Sequence, residues 1–272
     1  MSRQLTERQQ IVQRLLTEER EALWSPFMKG IRRYDMIRPG DRIMCCVSGG
    51  KDSMLLALML QTLQKHSRVP FELVCAAMDP GYSPENRAML EANADRLGIP
   101  LRVFDSDVFE VAAAQEKHPC FLCARMRRGC LYNKAEELGC NKLALGHHFD
   151  DIVVTTLMAM LWSAKLEAMR PVLPSRSHPG MTVIRPLALV QEDDIMAWRD
   201  REGLTFLRCA CRLTEAAAHD ETASRRAQTR QLLRELEKDN PDVRMNIFNA
   251  IHHVDISTFP GPADGSETCG RQ

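Results

Sequence analysis

The chain has 272 residues, of which 36 are basic and 36 acidic, so its formal net charge is zero. This length fits one large domain, which buries enough surface to fold without disulfides. Hydrophobic residues make up 44% and charged residues 26% of the chain, and this composition excludes intrinsic disorder, collagen and a coiled-coil rod. The balanced charge also argues against a protein that binds nucleic acid over its whole surface. A local basic patch could still bind nucleic acid.

The sequence predicts neither a membrane span nor an export signal. Its longest uninterrupted apolar run, 54–60, is far shorter than the ~20 residues of a membrane helix. The charged first residues contain no apolar signal segment. We therefore expect a cytoplasmic protein with no membrane partner. In such a reducing compartment, close pairs among the ten cysteines indicate metal, cluster or redox chemistry rather than disulfides.

Hydrophobic periodicity predicts alternating strands and helices. A helix is expected over 5–34, before a break at Pro39-Gly40-Asp41. Short apolar strands are predicted at 42–47, 73–78, 101–104, 142–145 and 181–185, and helices between them at 53–64, 84–97, 121–138 and 150–162. Short strands with little polar alternation are buried on both faces. The sequence therefore predicts an α/β fold with an open, mostly parallel five-stranded sheet and helices on both faces.

The same pattern divides the chain into four segments. We expect an N-terminal helical segment at 1–38, the α/β domain at 39–203, a helical extension with the late cysteines at 204–260 and a disordered tail at 261–272. The amphipathic N-terminal helix either forms a homodimer contact or packs on its own domain.

The sharpest local motif is Ser48-Gly49-Gly50-Lys51-Asp52-Ser53, between the first strand and its helix. Adjacent glycines let the backbone turn tightly, and the helix that follows presents unpaired N–H groups and a positive dipole end to an anion. Lys51 adds a cation, and Ser48 and Ser53 add hydroxyl donors. The spacing differs from the usual P-loop and dinucleotide loops. The motif predicts a pyrophosphate-binding loop, with an ordinary strand-to-helix turn as the alternative.

A second polar motif, Gly146-His147-His148-Phe149-Asp150-Asp151, follows the fourth strand. It lies at the same carboxyl edge of the sheet as the phosphate loop, where ligands of open α/β sheets bind. Asp150 or Asp151 could hold magnesium with nucleotide phosphates or transfer a proton, and the alternative is that they cap the helix. Asp79, directly after the second strand, is another carboxylate at this edge.

The cysteines include two close pairs, Cys120-Phe-Leu-Cys123 and Cys209-Ala-Cys211. They could hold zinc with four ligands, or an iron–sulfur cluster with three, and the first pair could also form a redox disulfide. The other six cysteines are expected to be structural or incidental: Cys45, Cys46, Cys75, Cys130, Cys140 and Cys269.

Several motifs occur together in one order. After the phosphate loop come Cys-x-x-Cys with Ala-Arg-Met-Arg-Arg-Gly, then Leu-Gly-His-His-x-Asp-Asp, Ile184-Arg185-Pro186-Leu187 and a late cysteine. This order resembles the tRNA 2-thiocytidine synthetases, the TtcA group of the PP-loop ATP pyrophosphatase superfamily. The resemblance extends from about Tyr34 to Cys211.

The resemblance implies that ATP adenylates the C2 oxygen of an anticodon-loop cytidine, cytidine 32, and that sulfur then displaces AMP. It implies tRNA and a sulfur donor, a cysteine desulfurase or free sulfide, as partners. It also implies Mg²⁺, and a [4Fe-4S] cluster held by Cys120, Cys123 and Cys209, with Cys211 as the alternative third ligand. Lys51, Asp52 and Asp151 are the implied catalytic residues. The implied ATP-binding residues are Ser48, Gly49, Gly50, Lys51, Asp52, Ser53, Asp79 and Gly146.

Arginines near these motifs are candidate phosphate or RNA contacts. Arg125, Arg127 and Arg128 lie about one turn beyond the first cysteine pair, and a solvated helix face is the alternative. Arg185 could contact the target or the nucleotide, or form an ion pair. In the C-terminal helices, glutamates alternate with arginines and favour a solvated face over an RNA-facing stripe; the arginines are Arg225, Arg226, Arg230 and Arg234.

The chain departs from the family around its late cysteines. Relatives usually show Pro-Cys-x-x-Cys followed by Gly-Ser, whereas this chain has Arg208-Cys209-Ala-Cys211-Arg-Leu-Thr. Two other functions therefore stay open: a PP-loop ligase or thiolase acting on another base or a metabolite, and a non-catalytic metal- or redox-binding protein.

Overall fold

The computed structural model describes residues 5–106, 119–207 and 225–259, with side chains from residue 126 onward in the helix that begins at Pro119. The chain begins with helix α1 (Glu7–Leu16), which Thr6 caps in a reciprocal hydrogen-bonded box with Gln9. A π-helical turn (Arg20–Trp24) then leads into α2 (Ser25–Arg33). The predicted single helix over 5–34 is therefore broken by a wider turn.

The N-terminal helices pack on their own domain. Ile11, Leu15, Leu23 and Phe27 are fully buried in the main hydrophobic core. This is the second of the two arrangements that the amphipathic pattern allowed.

A six-stranded sheet forms the centre of the fold, in the order β3-β2-β1-β4-β6-β5. All neighbouring strands are parallel except β5, which is antiparallel to β6. The predicted α/β class and the mostly parallel sheet are confirmed, with one strand more than the five expected. The strands are β1 (Arg42–Cys46), β2 (Glu72–Asp79), β3 (Leu101–Asp105), β4 (Lys142–Ala144), β5 (Val172–Pro174) and β6 (Thr182–Ile184).

Helices cover both faces of the sheet. After α2 the described α-helices are α3 (Lys51–His66), α4 (Pro84–Leu97), α5 (Pro119–Glu137), α6 (Phe149–Ser163), α7 (Glu192–Arg201), α8 (Arg225–Asp239) and α9 (Val243–Ala250). In the described part of the chain, none of them is long and apolar enough to cross a lipid bilayer.

Alternate side chains of β1 enter two separate hydrophobic cores, as the pleat of a strand requires. Ile43 and Cys45 pack into the larger core, which also contains residues of α1, α3, α4, α6 and α7. Met44 and Cys46 pack into a smaller core against Tyr132 and neighbouring residues of α5. The strand is thus buried on both faces, which explains its nearly continuous apolar sequence.

The strand order creates a crevice between β1 and β4. From β1 the chain proceeds outward to β2 and β3, then returns to β4 on the other side of β1. This reversal is a topological switch point, and the loops after β1 and β4 diverge from it at the carboxyl edge of the sheet. The two polar motifs predicted from the sequence occupy these two loops.

Candidate active site at the carboxyl edge of the sheet

The phosphate loop turns sharply at Gly49, whose φ is +81°. A Cβ atom at this residue would lie only 2.5 Å from Cδ1 of Leu207, so both the backbone conformation and the packing require glycine. Gly50 caps α3 in an extended conformation without a side-chain cap. The first N–H groups of α3 are therefore available to an anion.

Ser53 closes the loop onto the helix. Its Oγ accepts a hydrogen bond from the N–H of Ser48 at 3.1 Å and donates one to the carbonyl of Gly50 at 3.0 Å. The sequence singled out both serines as phosphate donors, and the structure gives Ser53 this additional role of fixing the loop.

The loop after β4 touches the start of α3. A Cβ at Gly146 would lie 3.0 Å from the backbone nitrogen of Ser53, so only glycine allows this approach. The contact brings the His-His-x-Asp-Asp motif beside the phosphate loop.

A cavity of about 280 Å³ lies where the two loops meet. It contains six residues that the sequence singled out, namely Ser48, Asp52, Ser53, Arg127, Gly146 and Asp151, and it adds His147. Apolar side chains form the rest of its lining: Cys46, Val47, Met78, Leu131 and Leu145.

Lys51 is held between two carboxylates. Its Nζ lies 3.1 Å from Oδ1 of Asp52 and 3.1 Å from Oε1 of Glu192, at the start of α7. Burial disfavours the charged amine, but the two carboxylates outweigh burial and raise the pKa of Lys51 above its ordinary value. Glu192 was not singled out in the sequence, because a glutamate in the first turn of a helix is common and gives no signal of this contact.

His148 lies at the centre of the acidic residues. It is 2% exposed, and its Nε2 lies 3.9 Å from Asp52 Oδ1 and 3.5 Å from Asp151 Oδ2. Burial disfavours the imidazolium, but the neighbouring carboxylates, Asp150 first among them, outweigh it and raise the pKa of His148. The converging carboxylates thus favour the protonated form of His148.

Asp52 and Asp151 are the carboxylates suited to a divalent cation. Both line the cavity, and the buried Asp52 Oδ1 has the Nζ of Lys51 as an ion-pair contact at 3.1 Å. Carboxylate oxygens are the ligands that magnesium prefers. Within the described ranges, no group of three or more His, Cys, Asp or Glu side chains could hold a metal by itself. A cation here would therefore need further oxygen ligands, such as phosphate oxygens.

Asp150 performs a different task from its neighbour. Its carboxylate accepts hydrogen bonds from the N–H of Glu192 at 2.7 Å and from Nη1 of Arg244 at 2.7 Å. Burial alone would raise the pKa of Asp150, yet these contacts and His148 lower it to about 2. Asp150 joins the starts of α6 and α7 to α9, and it does not line the cavity.

Helix α8 approaches the site with two arginines. Arg226 Nη1 lies 3.5 Å from Asp151, and Arg230 Nη2 lies 3.9 Å from Asp151 and 3.5 Å from Glu192. Both side chains remain partly exposed, so the helix face is solvated and also borders the acidic residues of the site. Mixed charges reveal that a helix face is polar, but they do not reveal what lies opposite.

Arg185 positions His147 and does not line the cavity. It is 8% exposed, and its Nε donates to Nδ1 of His147 at 3.3 Å while its Nη1 donates to the carbonyl of Arg170. Burial, followed by the nearby Arg128, lowers the pKa of Arg185 to about 10. Arg128 itself is exposed.

His147 is a neutral hydrogen-bond donor. Burial, followed by the charge of Arg185, lowers the pKa of His147 to about 4. A guanidinium has only donors, so Nδ1 must accept and Nε2 must carry the single proton. The cavity wall therefore includes an imidazole of fixed tautomer.

Asp79 is occupied by local contacts. Its carboxylate accepts from the N–H groups of Gly81 and Tyr82 and pairs with Arg87 at 2.7 Å. Burial would raise the pKa of Asp79, but these contacts outweigh it and lower the value. The side chain stabilises the turn after β2 and does not line the cavity.

The predicted cluster ligands are only partly described. Cys120 and Cys123 lie three residues apart near the start of α5, and their side chains, like that of Arg125, lie outside the described residues. Cys209 and Cys211 lie outside them entirely. Leu207, which precedes them, donates from its N–H to the carbonyl of Gly49 at 3.2 Å.

Four of the expected structural cysteines are buried thiols: Cys45, Cys46, Cys75 and Cys140. Burial raises the pKa of Cys46 to about 12, so this thiol is inert although it borders the cavity. Cys130 is half-buried, 3.7 Å from Oγ of Ser106, and Cys269 lies outside the described residues.

Comparison with known proteins defines the class. A family model described as a PP-loop domain matches residues 21–236. The fold resembles the U34-tRNA thiolase NcsA from Methanococcus maripaludis, solved with its [4Fe-4S] cluster, with a TM-score of 0.66 and 20% identity over 87% of this chain and 81% of that one. The fold and the phosphate loop together define a PP-loop protein.

Curated relatives narrow this class. The tRNA-cytidine(32) 2-sulfurtransferase of Anaeromyxobacter dehalogenans is 38% identical over 229 residues, which are 83% of this chain and 77% of that protein. The protein of the same name from Alkalilimnicola ehrlichii is 39% identical over 84% of this chain and 71% of that protein. The chain belongs to the tRNA-cytidine(32) 2-sulfurtransferase family, as its motifs predicted.

Proposed function

We propose that this protein is an ATP-dependent tRNA sulfurtransferase of the cytoplasm that replaces the C2 oxygen of cytidine 32 with sulfur. The observation that carries the proposal is the cavity at the switch point, where the phosphate loop meets Asp52, Asp151 and His147. The relatives that bear this name match more than four fifths of the chain.

The phosphate loop would bind the triphosphate of ATP. The free N–H groups at the start of α3 and the Nζ of Lys51 supply positive potential there. Asp52 and Asp151 would hold Mg²⁺ together with phosphate oxygens, because both carboxylates line the cavity beside the phosphate loop.

Adenylation solves the problem of a poor leaving group. The C2 oxygen of cytosine attacks the α-phosphorus of ATP, a new O–P bond forms, and the bond to the β-phosphate oxygen breaks to release pyrophosphate. Lys51 and the α3 dipole stabilise the charge of the leaving pyrophosphate. Holding the base and the α-phosphate in line supplies about 7–11 kcal/mol of the barrier reduction.

His147 would contribute a fixed donor to this step. Its Nε2–H belongs to an imidazole that stays neutral above about pH 4, because burial and Arg185 keep it so. A donor of fixed geometry can orient an acceptor of the base or of the α-phosphate without adding a positive charge. Arg185 acts through His147 as a positioning residue.

Sulfur enters in the second step. Sulfide forms a bond to C2, and the C2–O bond breaks to release AMP. Sulfur that arrives as a persulfide from a cysteine desulfurase must first be reduced to sulfide by a thiol reductant, which is oxidised to a disulfide. A bound [4Fe-4S] cluster with one iron free of protein ligands would supply a place for this sulfur.

The residues present fit such a cluster. Cys120 and Cys123 are separated by nearly one helical turn of α5, the helix that also carries Arg127 and Leu131 of the cavity. The hydrogen bond from Leu207 to Gly49 ties the chain that leads to Cys209 to the phosphate loop. These placements support Cys120, Cys123 and Cys209 as ligands.

The test uses anaerobically purified protein with ATP, Mg²⁺, sulfide and unmodified tRNA, and mass spectrometry of the digested nucleosides. The wild type should form 2-thiocytidine, and Asp52→Asn and Asp151→Asn should form it at least 100-fold more slowly. Asp95→Asn, an exposed carboxylate on α4, is the matched control and should retain the wild-type rate. Pyrophosphate release from ATP that does not depend on tRNA would instead favour a PP-loop ligase of another substrate.

A further inference from the structure

The π turn and α2 form a concave, positively charged surface; in the described part of the chain, the exposed Glu21 of the same turn forms no ion pair with its cations. A depression of about 690 Å³ is lined by the cations Arg20, Lys29, Arg32 and Arg33, with Trp24, Ser25 and Met28 between them. All four cationic side chains are exposed. In the described part of the chain none of them forms an ion pair, although 25 such pairs occur elsewhere in it.

Helical geometry explains this concentration of charge. Lys29 lies three residues before Arg32 and four before Arg33, so the three side chains neighbour one another on α2. The π turn ends with the N–H of Ser25 bonded to the carbonyl of Arg20, five residues back. The nearby glutamate Glu19 is engaged by Arg201 of α7 and does not neutralise the surface.

On the side opposite the charged surface, α2 contacts the chain that follows β6. On its packed side, Gly30 of α2 approaches the carbonyl of Pro186 so closely that a Cβ would lie 3.3 Å from it. Pro186 follows the carboxyl end of β6, and β6 neighbours β4. The charged surface is therefore fixed to the chain that leaves the sheet beside His147 and Arg185.

We propose that this surface, the α2 basic surface, binds the phosphate backbone of the tRNA and so positions the target nucleotide over the cavity. The inference rests on the proposed function. A cavity of about 280 Å³ accepts only a small part of an RNA, so the remaining contacts must lie outside it. Contacts to phosphates fix the register of a nucleic acid, and unpaired arginines and lysines supply them.

The overall charge balance strengthens this assignment. The whole chain has equal numbers of basic and acidic residues, so long-range attraction by net charge cannot hold a polyanion. A local patch of four unpaired cations supplies complementary charge at one place. The apolar side chains of Trp24 and Met28 give its floor a surface on which the ribose–phosphate chain can pack.

The experiment measures tRNA affinity of the full-length, cluster-loaded protein as a function of salt. Arg32→Gln/Arg33→Gln removes two cations from the surface. Lys65→Gln/Arg68→Gln removes two exposed cations at the end of α3 and the turn before β2, at the opposite edge of the sheet. Thermal melting of each variant shows that the fold is retained.

Each lost phosphate contact reduces the slope of log affinity against log salt by about 0.7–0.9. We expect the Arg32/Arg33 variant to reduce the slope by about 1.5 and to bind tRNA about tenfold more weakly at 0.1 M salt. Its KM for tRNA should rise while kcat changes little. The Lys65/Arg68 control should keep the wild-type slope.

An unchanged slope and affinity in the Arg32/Arg33 variant, with a wild type that thiolates tRNA, overturns this inference alone. Equal losses in both double variants also overturn it, because they would show a general charge effect. A wild type that neither binds nor thiolates tRNA overturns the proposed function and this inference together. If tRNA binding is unchanged but delivery of sulfur from a desulfurase is impaired, the surface binds an acidic protein instead of RNA.

Discussion

The Nζ of Lys51 lies 3.1 Å from a carboxylate oxygen of Glu192, two residues that are 141 positions apart in the chain. The cation of the phosphate loop is thus already paired before a nucleotide binds. Arg230 contacts the other oxygen of the same carboxylate. A triphosphate that enters the loop must displace Glu192 from at least one of these cations.

Replacing Glu192 with Gln should therefore strengthen ATP binding. The variant removes a competing anion, and the pair with Lys51 is partly solvated, so the expected gain is about 0.5–1 kcal/mol, or roughly two- to fivefold in Kd. Isothermal titration calorimetry with ATP and Mg²⁺ measures it. Glu167→Gln, an exposed glutamate paired with Lys165, is the control. ATP binding that becomes weaker in Glu192→Gln would show instead that Glu192 contributes to holding the cation.

The hydrogen bond from Arg185 to His147 leads to a prediction about pH. In the wild type the pKa of His147 is about 4, so the residue stays neutral, with its proton on Nε2, at every pH from 5 upward. In Arg185→Met the tautomer is no longer fixed, and the pKa of His147 rises because the neighbouring positive charge is lost, although burial still holds it below its ordinary value. At pH 8 the variant should thiolate tRNA about tenfold more slowly, since part of its His147 presents no donor.

The sign of the pH effect is specific. As the pH falls towards this raised pKa, His147 of the variant gains a second proton before that of the wild type does, so that both ring nitrogens donate and the deficit relative to the wild type becomes smaller. The ratio of the two kcat values between pH 5.5 and 8.5 measures this. His147→Gln, whose amide donates at every pH, should show a deficit that does not vary. A constant ratio for Arg185→Met would contradict the tautomer argument.

Much of the fold and part of the site could be predicted because their signals are local. A glycine-rich string between a strand and a helix defines the phosphate loop within six residues, and parallel strands bring their carboxyl ends to one edge. Asp151 could be assigned to the cavity for that reason. β5 was not predicted because it has only three residues and ends in a proline. Its sequence shows no alternation of apolar and polar residues that would indicate a strand.

The contacts that surround the phosphate loop could not be predicted in the same way. Glu192, Arg226 and Arg230 come from helices far along the chain, and only the packing of α7 and α8 decides which side chains they face. The amphipathic pattern defines a polar face but not its partner. The packing of Leu207 against Gly49 could not be predicted either, since nothing in the sequence links the two positions.

Gly49 and Gly40 form a matched pair for testing the loop. Their φ angles are +81° and +83°, but a Cβ at Gly49 would strike Leu207, whereas nothing lies within 4 Å of one at Gly40. Gly40→Ala should therefore cost only the backbone strain, about 1–2 kcal/mol of unfolding free energy. Gly49→Ala should cost more and should also weaken ATP binding at least tenfold, because the loop must move.

A double-mutant cycle separates strain from collision. Gly49→Ala should cost less stability in a Leu207→Ala background than in the wild type, since the smaller side chain removes the 2.5 Å contact. Urea unfolding gives the stabilities, and calorimetry gives the ATP affinities. Equal losses of unfolding free energy for Gly49→Ala and Gly40→Ala would show that the loop accommodates the added Cβ with no steric penalty against Leu207.

The cluster assignment makes a prediction about individual cysteines. Cys120→Ala, Cys123→Ala and Cys209→Ala should each lose most of the iron and acid-labile sulfide from anaerobically purified protein, because three thiolates hold the cluster. Cys130→Ala, on the same helix as the first pair and half-buried, should retain both. Iron and sulfide analysis with the visible spectrum measures this before any thiolation assay. If Cys211→Ala loses the cluster and Cys209→Ala keeps it, the third ligand is Cys211; stoichiometric zinc in the wild type would contradict the cluster itself.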